Sequence, residues 1–131
     1  IRSGGRCPNV KNDLLYSIFD KQYLHKKVII YSAGTFGQQI WKRIRETKYC
    51  EIVGWIDEDY HEYRRCCLDV DPIEVINNIT FDYILIATVD FHIANILQKN
   101  LLSHGIPDSK ITRVKYLEEV KFCLLQKFLY H

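Results

Sequence analysis

The stretch Val28-Ile29-Ile30-Tyr31-Ser32-Ala33-Gly34-Thr35-Phe36-Gly37 decides the fold. Its first four residues form a β-branched and aromatic run with no polar alternation, the pattern of a parallel strand buried on both faces. The run stops at small residues. From Thr35 to Thr47 the apolar Phe36, Ile40 and Ile44 fall four apart, one stripe along a helix whose last turns carry Lys42, Arg43 and Arg45. Strand, small-residue turn and helix open a βαβ unit. The turn follows G-x-G-x-x-G spacing with serine in the first place. Gly34 would let the backbone approach a phosphate, Gly37 would let the helix pack tightly on the strand, and the helix N-terminus would offer N–H groups to an anion. Ser32 lacks glycine's cheap access to positive φ, although its hydroxyl can donate to phosphate.

Downstream, Glu51-Ile52-Val53-Gly54-Trp55-Ile56 gives a second strand, and the polar stretch Asp57 to Arg65 a loop. Asp57 follows Gly37 by about 20 residues, the place where an acidic side chain hydrogen-bonds a ribose diol. Asp57, Glu58 and Asp59 together would repel a 2′-phosphate and favour NAD over NADP; the plainer reading is that they solvate a loop. A short third strand is expected around Cys66 to Val70, then a brief helix to about Asn78 with Asp71 as N-cap and Pro72 at its first position. Tyr83 to Ala87 is a buried strand, Phe91 to Leu102 a helix closed by Gly105-Ile106-Pro107, and Ile111 to Val114 a weak strand. Asp90 suits the N-cap of that helix. Asp90 and His92 also fall at the carboxyl edge of the sheet, where ligands bind. Arg64-Arg65 either face solvent or meet a diphosphate.

Upstream, Val10, Leu14, Ile18 and Phe19 recur at helical spacing before the basic cluster His25-Lys26-Lys27. At the other end, a last helix is expected from about Tyr116 to Tyr130, apolar over more than one face through Leu117, Val120, Phe122, Cys123, Leu124, Leu125, Phe128 and Leu129. That surplus suits a second subunit, the rest of a longer protein, or deep burial within the domain. The boundaries expected are thus a helical segment 1–26, a core 27–114 and a terminal helix 115–131. Strands alternating with helices over short connections imply an α/β fold, a doubly wound parallel sheet of about five strands.

With 131 residues the chain suits one domain, and the lack of methionine with an opening on Ile1 suggests a piece of a longer protein. A net charge of +2 from 18 basic and 16 acidic residues demands neither nucleic acid nor an anionic membrane, and no apolar run approaches membrane-spanning length. Five cysteines without C-x-x-C spacing suggest reduced thiols in a cytoplasmic setting. Vicinal Cys66-Cys67 near His61 could be imagined as metal ligands. No second pair completes a set, so no metal is expected and buried or half-buried thiols are the better reading. Tyr-x-x-x-Lys, which a short-chain dehydrogenase needs downstream of its glycine turn, occurs at Tyr23 to Lys27, upstream of the first strand. No length remains for a substrate domain, which argues against catalysis by this chain alone.

Three segments in order, Ser32 to Gly37, Val53 to Asp59 and Asp82 to Thr88, resemble the Rossmann-like domains that accompany bacterial surface-polysaccharide enzymes. These stand beside nucleotide-sugar dehydratases and epimerases, sugar transferases and sugar O-acetyltransferases, reading I-Y-G-A-G-x-x-G, V-G-F-x-D-D and D-x-I-I-I-A. The resemblance covers about Lys27 to Ile111, with Ser32 for glycine and Trp55 for phenylalanine as departures. It implies a nucleotide or nucleotide-sugar cleft lined by Ser32, Gly34, Thr35, Phe36, Gly37 and Asp57, with Ala87 and Thr88 across the crevice. Three functions follow as expectations: a non-catalytic module for a nucleotide, NAD or a nucleotide sugar; a fragment of an NAD-dependent epimerase, dehydratase or oxidoreductase; or a ligand-free structural module that dimerises.

Overall fold

A computed structural model describes residues 23–114. The expected helices at 10–24 and 116–130 lie outside the described residues, apart from Tyr23 and Leu24. The elements are β1 (Lys27–Tyr31), α1 (Thr35–Thr47), β2 (Glu51–Ile56), α2 (Tyr60–Arg65), a 3-10 helix (Ile73–Asn78), β3 (Tyr83–Ile86), α3 (Phe91–Ser103), a 3-10 turn (Asp108–Lys110) and β4 (Ile111–Arg113). The four strands are parallel and run β2-β1-β3-β4 across the sheet.

Alternation along β1 divides the core. Val28 and Ile30 enter one apolar cluster with Ile40 and Ile44 of α1 and Leu85 of β3. Ile29 and Tyr31 enter a second with Ile84 and Ile86 of β3 and Ala94, Leu97 and Leu101 of α3. The helices α1 and α3 therefore cover opposite faces, and β1, buried on both, has no polar residue from Val28 to Tyr31. β1 follows β2 with a register shift between Val28 and Ile29.

Helix ends follow local chemistry. Asp90 caps α3, its carboxylate accepting from the Ile93 N–H at 3.1 Å. His104 ends the helix, and Gly105 turns the chain away at φ +87°. α1 stops at Lys48, left-handed at φ +56°.

Four expectations between β2 and β3 are corrected. The stretch after Asp57 is not wholly loop: Asp59 accepts backbone bonds from Glu62 and Tyr63 and starts α2, whose Tyr60 and Tyr63 pack on the first cluster. Cys66 to Val70 is not a strand. Cys67 is left-handed at φ +65° and Leu68 N–H bonds back to Tyr63, so the chain doubles on α2 and meets the sheet through one bridge, Ile56 with Asp71. Asp71 is not an N-cap; Pro72 takes that position, and the Asp71 carboxylate pairs with Arg64 at 2.6 Å instead. Cys66 and Cys67 are both free and exposed, so the expected burial of that pair fails. Among the described residues no helix is long and apolar enough to cross a membrane, and no group of three or more His, Cys, Asp or Glu is placed to hold a metal ion.

Candidate functional site

At the carboxyl ends of β1, β2 and β3 the chain brings together the turn Ser32–Gly37, the acids Asp57–Asp59, and Ala87–Thr88. β1 is the central contact, paired with β2 on one side and β3 on the other, while the connections after β1 and β3 leave for opposite faces. In open parallel α/β sheets, ligands bind beside the strand ends where connections diverge in this way.

Ser32 keeps the backbone conformation of the glycine it replaces, with φ +112°. L side chains rarely adopt that region, so the surroundings must hold it. Ser32 N–H donates to the Ile56 carbonyl at 2.9 Å, and the Ser32 carbonyl accepts from the Trp55 indole Nε1–H at 2.9 Å. Gly37 packs beneath that carbonyl: a Cβ there would lie 2.2 Å from the Ser32 oxygen, so the third motif position admits only glycine. Gly34 differs. A Cβ there would have only the Ser32 Oγ within 4 Å, at 3.9 Å, so the fold does not itself need glycine and the space beside the turn is open.

Gly34 is the N-cap of α1 and offers no side chain, and the first turn of α1 contains no acid. The helix therefore presents its positive end at the turn without an internal counter-charge. Thr35 is exposed at the first helical position, and Phe36 packs against the first cluster, leaving its backbone as what it can offer a ligand. Gln38 Nε2–H donates to the Ala33 carbonyl at 2.8 Å and braces the turn.

Asp57 serves the turn as well as the rim. One carboxylate oxygen accepts the Ala33 N–H and the other the Asp59 N–H, each at 2.8 Å. Each oxygen retains further acceptor capacity, since a carboxylate offers about four lone-pair sites. Ala87 is buried, its N–H donating to the Tyr31 carbonyl at 3.0 Å. Thr88 Oγ1 accepts the Asp90 N–H at 3.2 Å. Thus Ser32, Gly34, Thr35, Asp57 and Thr88 gather at this edge with some exposure, while Phe36 packs on the first cluster and Gly37 and Ala87 are buried.

Several residues whose roles were open in the sequence have defined surroundings. Asp90 is a cap, His92 is exposed on the first turn of α3, and Arg64 is a clamp: its Nε–H donates to the Val70 carbonyl at 2.8 Å while its guanidinium lies over the Tyr60 ring. Arg65 makes an exposed pair with Glu62. Sequence reasoning missed a polar group on the α3 side of the sheet, where the buried Tyr31 hydroxyl donates to Glu58 and Asn100 Nδ2–H approaches both at 3.4 Å. Burial, with the bond to Glu58, pushes the Tyr31 hydroxyl well above the usual phenol range. Tyr63 shifts upward too, first by burial and then by the charges of Asp57 and Asp59.

A hollow of about 510 Å³ lies at the opposite edge of the sheet, lined by His25, Arg45, Lys48 and Glu51 over Ile44, Cys50 and Ile52. It is remote from the glycine turn and adjoins the start of the described residues.

Fold and turn together define a parallel α/β domain with a glycine turn after its central strand. Residues 24–112 match the family described as C2185-like, N-terminal, and the chain belongs to that family. The match spans the whole sheet except for the final residue of β4. The chain matches no curated protein sequence.

Proposed function

We propose that this domain is a Rossmann-like, doubly wound module that binds a nucleotide or nucleotide sugar at the glycine turn and has no catalytic activity as this chain alone. The observation that carries the reading is the pairing of a left-handed residue at Ser32 with open space at Gly34, at the carboxyl edge of a parallel sheet. Backbone N–H groups at the start of α1 would take the phosphate, Asp57 the ribose, and Thr88 the far side of the crevice. Asp57, Glu58 and Asp59 make a 2′-phosphate unwelcome, so a dinucleotide here is NAD and not NADP. The resemblance to polysaccharide-associated domains supports a sensing or regulatory role beside a cytoplasmic bacterial sugar-nucleotide enzyme. Its apolar segment Leu117 to Leu129 would then meet a second subunit or the enzyme itself.

One observation favours a ligand-free structural module. Both Asp57 oxygens already hold backbone N–H groups, so this acid has a task without any ligand. A thermal-shift and calorimetry screen of NAD, NADP and nucleotide sugars separates the readings, run on the native chain and on Gly34→Val, whose side chain enters the open space. Stabilisation by one class, lost in the variant, supports binding; a ligand at 100 times its Kd adds about 2.7 kcal/mol. No stabilisation by any of them leaves the structural module.

A further inference from the structure

The two departures from the motif, Ser32 and Trp55, touch each other. Trp55 is buried at 4% exposure, its indole stacked on Trp41 with centroids 5.1 Å apart and planes 12° from parallel. The Arg45 guanidinium lies over the Trp41 ring, 5.0 Å from its centroid. The indole is buried and stacked on Trp41, and its single N–H donates to the Ser32 carbonyl. That carbonyl is the group wedged over Gly37, in a space too small for a Cβ. A phenylalanine at position 55 could fill much of the same volume but offers no donor.

We propose that Trp55 is the positioning residue of the glycine turn, and that its indole N–H is what lets a serine occupy a glycine's left-handed conformation there. Two bonds from β2 act on the two peptide groups of Ser32: the Ile56 carbonyl receives the N–H and the Trp55 indole holds the carbonyl. Between them they fix the rotation of the residue from both sides. Without the second bond, Ser32 relaxes toward negative φ and the Ala33 N–H swings away from Asp57. With glycine at position 32 the conformation carries no such strain, so the second bond is dispensable. The pair also has a consequence for the cleft. The held conformation keeps the Ser32 Oγ beside Gly34, on the open side of the turn, where a hydroxyl can donate to a phosphate. That consequence rests on the binding reading; the coupling of Trp55 to Ser32 does not.

The test is amide hydrogen exchange without ligand, read by NMR at Ser32 and Ala33 in the native chain, Trp55→Phe, Ser32→Gly and the double variant. Trp55→Phe is expected to speed exchange at these two amides by about fivefold to tenfold, the equivalent of one hydrogen bond. Adding Ser32→Gly is expected to restore near-native protection. Unchanged exchange in Trp55→Phe overturns the proposal, as does acceleration that Ser32→Gly does not rescue, which is what loss of ring packing alone produces. Should Trp55→Phe fail to fold, the double variant decides: folding with protected amides supports the proposal, and failure overturns it. Because no ligand enters these measurements, a domain that binds no nucleotide gives the same answer.

Discussion

At Gly37 a methyl group would lie 2.2 Å from the Ser32 carbonyl oxygen, with backbone on both sides and no flexible side chain to give way. Gly37→Ala is therefore expected to lower stability by about 3 kcal/mol in urea denaturation, as overpacking of a tight site does. Gly34→Ala is expected to cost under ~1 kcal/mol, because its nearest neighbour is a serine hydroxyl at 3.9 Å. Motif spacing made the need at Gly37 legible. It could not show that Ser32 holds φ +112°, since that depends on a bond from the next strand. Asp57 was legible as an acid at a strand end, but its bonds to Ala33 and Asp59 appear only once the turn and β2 are side by side. Cys50 gives a separate check. Burial pushes its thiol up to about 12 from an ordinary value of 9.0. Between these values the unfolded chain loses the proton and the folded chain keeps it, so stability falls as pH rises through that window. Tyr31 contributes in the same direction over a higher range. Alkaline denaturation followed by circular dichroism should show a shallower decline for Cys50→Ala. Thiol alkylation at pH 8 should label Cys66 and Cys67 well before Cys50.

Long elements with a clear apolar stripe were legible in the sequence; short ones were not. α1 spans Thr35–Thr47 as its fourfold spacing requires, and α3 begins at its Asp90 cap. α2 was hidden because its six residues carry one small stripe, Tyr60 and Tyr63, in a polar stretch. Cys66 to Val70 suggested a strand from its apolar residues, but the left-handed Cys67 and the bond from Leu68 to Tyr63 set the local path. Tertiary contact decides such short segments. The caps of α3 can be tested directly. Asp90→Ala is expected to cost about 1 kcal/mol through loss of the bond to Ile93 N–H. Gly105→Ala is expected to cost about 1 kcal/mol because φ is +87° there. Urea denaturation measures both.

For the molecule as a whole, hydrophobic runs announced parallel strands covered on both faces, while strand order stayed illegible because it depends on pairings between distant segments. In the order β2-β1-β3-β4, the two longest helices among the described residues, α1 and α3, cover opposite faces of a central β1. Two regions then stand as candidates for the proposed binding: the glycine turn at the carboxyl edge and the hollow near His25 and Lys48 at the other. The glycine turn, its left-handed Ser32 and the positive end of α1 all favour the first. The most direct test is a two-dimensional amide NMR titration of the native chain with NAD and with a UDP-sugar. Shifts concentrated at Gly34, Thr35, Asp57 and Thr88 are the expected result. Shifts confined to His25, Lys48 and Glu51, or none with either ligand, would contradict the assignment of the glycine turn as a nucleotide site.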